Sequence, residues 1–299
     1  MEGLWQWGIT VIVAMQRAGQ PVMRPVFLAF TYLGEEQFYF LLLPLLLWCV
    51  DPALGVRLSV VFLFSIHFNT SLKDLLAQPR PYDLRPEIRL SAAHGYSLPS
   101  GHAQSAVVVW GVLAGAIRRR WAWAAAALLA LLIGLSRVYL GVHFPTDVLA
   151  GWGIGVAVLG LYLAVGGHVE RWLSSCRLRE QLVMAVAVPF ALFVLHPAKD
   201  TTSTMGALAG LGVGVSLSRR YLPVAGSGPR WHCMLRFLAG GTLVLAVYFA
   251  LRLLIPGEGS SHYLYSRFLR YLAVGLTMSL GAPWLFLRLG LAGKTADGD

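Results

Sequence analysis

Residues 121–136 read WAWAAAALLALLIGLS and residues 148–167 read VLAGWGIGVAVLGLYLAVGG, with no charged side chain in either stretch. A helix needs about 20 apolar residues in a row to cross the hydrocarbon core of a bilayer. The same texture recurs outward from these two runs, with charges gathered between uncharged stretches. Over 299 residues the hydrophobic share is 57% and the charged share 13%, with a mean hydropathy of +0.65. A water-soluble domain carries about a quarter charged residues, so the fold class expected is all-α, a polytopic membrane helical bundle. Disorder is excluded by the hydrophobic content and collagen by the lack of a glycine period. Cys49, Cys176 and Cys233 are too few to staple this length and lack metal-ligand spacing.

Spanning helices are expected at 37–50, 56–77, 101–117, 121–137, 147–166, 181–196, 203–218, 234–254 and 270–288, about nine in all. Breakers separate them: Asp51-Pro52, the stretch Pro79 to Pro99, Arg118 to Arg120, Phe144-Pro145, His196-Pro197, Gly226 to Pro229 and Pro256-Gly257. Ahead of the first span, Leu4 to Met15 carries Trp5 and Trp7, aromatics that favour the bilayer interface, and is expected as an interfacial or docked helix. The N-terminus lacks the basic start of a cleavable signal, so this segment is expected to stay in the mature chain. The organisation expected is an N-terminal interfacial segment over 1–36, a core over 37–166 and a C-terminal transmembrane extension of the same bundle over 167–299. Within the extension, residues 204–215 are rich in small side chains, with Gly206 and Gly210 at the spacing that lets a helix pack closely on a neighbour.

Lys and Arg number 24 against 14 Asp and Glu, a net charge of +10. The basic residues sit in short loops and form no stripe, which argues against nucleic acid and for anionic lipid headgroups as partners. Short basic loops are retained on the cytoplasmic side. Placing Arg118 to Arg120 there puts 77–99, 138–146, 197–202 and 255–269 on the opposite face.

On that opposite face polar residues cluster at helix ends. Lys73 and Arg80 end the second span, Ser100 and His102 open the third, Arg137 ends the fourth, and His143 and Asp147 open the fifth. Ionisable groups at membrane depth are costly, which makes them candidates for function. In Pro99-Ser100-Gly101-His102, Ser100 is a preferred N-cap, Gly101 lets a ligand approach the backbone, and the first-turn amides with the helix dipole attract an anion such as phosphate. In His143-Phe144-Pro145-Thr146-Asp147, Pro145 suits the first helical position. Asp147 can fold back on one imidazole nitrogen of His143 and leave the other free as a nucleophile. Lys73, Arg80 and Arg137 supply positive charge for a phosphoryl group. His94, six residues before Ser100, stands either as a pocket-lining residue or as a loop histidine with no role; His67, His168, His196, His232 and His262 show no metal-site spacing with carboxylates, and no metal or other cofactor is expected.

Read in order, Lys73-x6-Arg80-Pro81, Pro99-Ser100-Gly101-His102 and Ser136-Arg137-x5-His143-x3-Asp147 resemble the three-part signature of the type 2 phosphatidic acid phosphatase superfamily. The resemblance implies a metal-independent phosphatase. His143 attacks phosphorus to form a phosphohistidine, Asp147 orients it and His102 protonates the leaving oxygen, while Lys73, Arg80, Ser100, Gly101 and Arg137 bind phosphate. The span count and the turn Lys199-Asp200-Thr201-Thr202 before a Gly-rich helix are similar to the glucose-6-phosphatase branch.

The function expected is hydrolysis of a lipid phosphate or diphosphate, with substrate and membrane lipids as partners, in the cell (inner) membrane with the site on its exoplasmic face. The alternatives are a sugar-phosphate phosphatase, a phosphotransferase and, outside enzymes, a lipid transporter. Tyr82, Asp83, Arg85, Glu87 and Arg89 in the loop after Arg80 stand either as headgroup contacts or as a solvated loop.

Overall fold

The computed structural model describes residues 2–19, 22–222, 224–225, 230–254, 257 and 259–294. The breaker at Gly226 to Pro229 and the Pro256 of the last one lie outside these residues. The helices are α1 Glu2–Gly19, α2 Met23–Tyr32, α3 Glu36–Leu45, α4 Pro52–Leu76, α5 Pro81–Leu84, α6 Gly101–Ile117, α7 Arg120–Tyr139, α8 Pro145–Ser175, α9 Leu178–Leu195, α10 Lys199–Tyr221, α11 Arg230–Leu254, α12 Tyr263–Leu276 and α13 Ala282–Arg288. Extended structure among the described residues is a single antiparallel pairing of Val224–Ala225 with Gly293–Lys294. The fold is all-helical, as expected.

Five helical segments among the described residues are long and apolar enough to cross a membrane: Pro52–Leu84, Arg120–Tyr139, Pro145–Ser175, Leu178–Leu195 and Trp231–Leu254. A sixth arises if Met23–Tyr32 and Glu36–Val50, bent by 48° at their junction, count as one broken span. The remaining expected spans differ for physical reasons. Gly101–Ile117 is apolar but shorter. Residues 203–218 are helical within α10, yet Gly, Ser and Thr replace the large apolar side chains that drive insertion. Residues 270–288 are interrupted by a π-helical turn at Thr277–Gly281. A similar turn at Leu46–Val50 follows Pro44, whose missing N–H breaks the ladder of α3.

The chain forms two compact units, Met1–Phe40 with Phe68–Gly166, and Leu41–His67 with Gly167–Asp299. In the first, α1 buries Ile9 and Ile12 in a cluster with Ile88, Ala103, Val138, Phe144 and Val148. The Gln16 amide donates to the carbonyls of Ile88 and Tyr139, at 2.8 Å each, tying the loop after α5 to the end of α7. Gly141 follows with a φ of +70°, and a Cβ there would stand 2.0 Å from the Ile88 oxygen, so only glycine fits. The link Arg118–Arg119 joins α6 to α7, with Arg118 in the left-handed conformation that ends α6.

Helix α8 lies against the start of α6 through Gly151 and Gly155. A Cβ at these positions would come within 2.5 Å of the Ser100 oxygen and 2.9 Å of the Gln104 oxygen. This close approach brings the beginnings of α6 and α8 together.

In the second unit the small-residue spacing of α10 does what its pattern predicts. A Cβ at Gly206 would stand 2.4 Å from the Phe268 oxygen, and one at Gly210 1.9 Å from the Leu272 oxygen, so α12 rests on a glycine stripe. Phe193, Met205, Leu208 and Phe268 form a buried cluster at this crossing. The Arg57 guanidinium holds Glu170 with two hydrogen bonds, of 2.9 and 3.2 Å.

Candidate active site

The eight residues expected to act in catalysis and phosphate binding all lie in the first unit. Lys73 is near the end of α4, Arg80 directly precedes α5, Ser100 caps α6, Gly101 and His102 form its first turn, and Arg137 is in the last turn of α7. His143 sits in the turn before α8, with Asp147 in the first turn of that helix.

The α7–α8 turn builds the first half of the site. Asp147 accepts a hydrogen bond from the Phe144 amide at 2.9 Å, so the carboxylate closes the start of α8 on itself. The same Oδ2 accepts from the Ser97 hydroxyl at 2.5 Å and stands 3.4 Å from His143 Nδ1. On the other side of the ring, Arg80 NH1 is 3.3 Å from His143 Nε2. A guanidinium can only donate, so Nε2 is the acceptor, and the ring proton of neutral His143 belongs on Nδ1, facing Asp147. An imidazole in this tautomer presents its lone pair at Nε2.

The loop backbone holds Arg80 in turn. Its Nε donates to the Gly95 oxygen at 2.8 Å, NH2 to the His94 oxygen at 2.6 Å and NH1 to the Val142 oxygen at 2.8 Å. Arg80, His143 and Asp147 are each 3% exposed or less, so their geometry is fixed by packing. Burial is the main cause that holds His143 well below the usual histidine range, and the charges of Lys73, Arg80 and Arg137 add to it.

The second half of the site gathers at the start of α6. Ser100 is the N-cap, its hydroxyl facing the Ala103 amide at 3.5 Å, and its own amide donates to the Asp147 carbonyl at 2.9 Å, joining the two halves. A Cβ at Gly101 would stand 3.1 Å from Asn69 Oδ1, and Asn69 itself is anchored by a 2.7 Å hydrogen bond to Gln104. His102 Nε2 lies 3.2 Å from Glu35 Oε1, and Arg137 NH1 lies 3.6 Å from the same oxygen. Arg137 NH1 also donates to the Thr31 hydroxyl. Lys73 Nζ donates to the Tyr96 carbonyl at 2.8 Å.

Chemically, the arrangement offers a neutral imidazole with an oriented lone pair, a second imidazole, several cations and an open helix N-terminus. That set can receive a tetrahedral anion and transfer it to nitrogen. Among the described residues no group of three or more His, Cys, Asp or Glu side chains is placed to hold a metal ion.

Sequence reading missed Ser97, Glu35 and Thr31. Ser97 lies in the aperiodic loop before Pro99 and carries no spacing signal. Glu35 does leave a trace, since Glu35 and Glu36 are the only acidic residues between Glu2 and Asp51 in an otherwise apolar region. The loop residues weighed as headgroup contacts make contacts within the loop. Asp83 accepts from the Arg80 amide, Tyr82 donates to the Ala93 carbonyl, Arg85 pairs with Glu87, and Arg89 lies over the Tyr82 ring.

Comparison with known proteins gives two family matches, the PAP2 superfamily over residues 54–169 and the PAP2 superfamily phosphatase transmembrane extension over residues 202–294. Among curated relatives, lipid phosphate phosphatase delta of Arabidopsis thaliana is 29% identical over 212 residues, covering 64% of this chain and 50% of that protein. Sphingosine-1-phosphate phosphatase 2 of Homo sapiens is 30% identical over 199 residues, covering 61% and 49%. Phosphatidylglycerophosphatase B of Bacillus subtilis is 31% identical over 170 residues, 51% of this chain and 80% of the relative. The chain spans about half the length of the first two relatives.

Proposed function

The chain belongs to the PAP2 superfamily, and on that premise we propose that it is an integral-membrane phosphatase that hydrolyses a lipid phosphate or diphosphate through a phosphohistidine on His143. The observation that carries this reading is the clamp on His143, with Asp147 at Nδ1 and Arg80 at Nε2. Arg80 NH1 turns from Nε2 to a phosphoryl oxygen, the freed Nε2 lone pair attacks phosphorus, and the Nδ1 proton stays between the ring and Asp147 as the imidazolium charge develops. Lys73, Arg80, Arg137 and the first-turn amides of Gly101 and His102 hold the phosphoryl oxygens. His102 gives its proton to the leaving oxygen, and water then cleaves the P–N bond, releasing phosphate and restoring neutral His143.

A lipid substrate is supported by the names of the relatives and by the apolar helices around the site, which let a chain stay in the bilayer while its headgroup enters. An exoplasmic site is supported by Arg118, Arg119 and Arg120, all exposed at the ends of α6 and α7 away from Ser100 and Arg137.

The test is phosphate release by the purified full chain from phosphatidic acid, sphingosine 1-phosphate, a polyprenyl diphosphate and glucose 6-phosphate, each with and without EDTA. The expected result is turnover of lipid substrates, unchanged by chelator, because side-chain cations neutralise the phosphate. Turnover of glucose 6-phosphate alone, or loss in EDTA reversed by magnesium, contradicts the reading.

A pH dependence follows from the depressed proton affinity of His143. An ordinary histidine titrates near 6.5; His143 stays neutral and nucleophilic below that value. At saturating substrate the acid limb of kcat should therefore fall below pH 6.5. Half-maximal kcat at or above pH 6.5 on the acid side would show that His143 has no such protection.

A further inference from the structure

Glu35 lies outside all three motifs and yet touches two of their residues. It stands in the turn between α2 and α3, its Oε1 3.2 Å from His102 Nε2 and 3.6 Å from Arg137 NH1. The turn is pressed onto the imidazole, since a Cβ at Gly34 would stand 2.6 Å from His102 Cδ2. Thr31, one helical turn earlier, receives a hydrogen bond from the same Arg137 nitrogen, so this segment grips both residues.

We infer that Glu35 is a positioning residue for leaving-group departure, its carboxylate favouring the imidazolium form of His102 from which the leaving oxygen takes a proton. The inference rests on the phosphatase reading above and assigns that site a second carboxylate–histidine pair.

The two pairs differ in a way that suits opposite tasks. Asp147 Oδ2 is engaged by Ser97 and by the Phe144 amide as well as by His143, and the carboxylate is buried. Two hydrogen-bond donors share that oxygen with the imidazole, and His143 can remain neutral beside it. Glu35 keeps about a third of its side-chain surface exposed, and its short contacts are to His102 and Arg137. Around His102 the charged groups are Glu35 from the α2–α3 turn, Arg137 from α7 and Lys73 from α4. Burial opposes an imidazolium there most, the two cations oppose it further, and the Glu35 carboxylate is the group that favours it. Pairs of titratable groups whose surroundings drive them apart are how acid and base roles are divided within a single site. The balance of the step is simple: the proton leaves His102 with the departing oxygen, and water delivers one back when the phosphohistidine is cleaved.

The experiment titrates ring-labelled histidines by NMR in the detergent-solubilised full chain, the His102 signal being assigned by its loss in His102→Gln. Glu35→Gln is expected to move that titration down by about one pH unit. In kcat profiles its alkaline limb should shift the same way. At pH 8 the loss should be about tenfold for an alkyl phosphate and within about twofold for nitrophenyl phosphate, whose leaving oxygen needs little protonation. A His102 titration that does not respond to Glu35→Gln overturns the inference whether or not the chain hydrolyses phosphate esters. A titration that moves while both substrates lose rate equally overturns the leaving-group role. A wild-type chain that releases no phosphate overturns the phosphatase reading instead, and the ring titration still decides whether Glu35 governs His102.

Discussion

His143→Ala should lower phosphate release from any substrate by about four orders of magnitude or more, the scale seen when a covalent nucleophile is deleted. A smaller loss is not expected, because His143 Nε2 is the nitrogen that the clamp of Arg80 and Asp147 orients, and no other imidazole in the site has both. His102 cannot substitute: its Nε2 faces Glu35, and the N-terminus of α6 that carries it is fixed by the Ser100 cap. The variant should still fold. Its alanine leaves Asp147 bonded to Ser97 and to the Phe144 amide, and the groups that dock α8 on α6 are untouched. Steady-state assays on variant protein whose thermal transition in detergent matches the wild type would measure this. Residual activity above about one part in a hundred would remove His143 from the nucleophile role.

Asp147→Asn should lower kcat by about ten-thousandfold with little change in KM, in line with the loss of a buried orienting carboxylate in triad enzymes. The wild-type carboxylate stabilises the positive charge that His143 acquires as Nε2 bonds to phosphorus. The amide has no charge to offer. The Asn oxygen can still accept from the Phe144 amide, so the start of α8 survives and the loss falls on the chemical step. A kcat within tenfold of wild type would mean that Asp147 serves only as a helix cap.

What the sequence made legible was local. His143 and Asp147 stand four residues apart across a helix start, and Ser100 with Gly101 opens a helix, so spacing alone places these groups relative to one another. The all-helical class was equally readable, since uncharged runs of bilayer length have few other uses. The hidden part is what the chain brings in from a distance. Thr31 and Arg137 are 106 residues apart, and Glu35 and Ser97 lie in a tight turn and an aperiodic loop, where no period announces a partner. The carbonyls of Gly95, His94 and Val142 that hold Arg80 are backbone groups and leave no mark on residue identity. The count of nine spans is not matched among the described residues for a related reason. Hydropathy measures how apolar a run is, whereas the π-helical turns after Leu45 and Leu276 depend on how the backbone is broken within it.

The most direct test of a covalent phosphatase centred on His143 is to trap the intermediate. Full-length protein is mixed with a lipid phosphate carrying radioactive phosphorus, quenched within milliseconds in detergent and alkali, and digested. A P–N bond survives base and is lost in acid, which separates it from serine or aspartyl phosphate. The account predicts an alkali-stable, acid-labile label on the peptide that contains His143, at a level that rises when His102 is replaced and the substrate is nitrophenyl phosphate. Active protein that yields no such label at any quench time, or that carries it on a peptide without His143, would contradict the account.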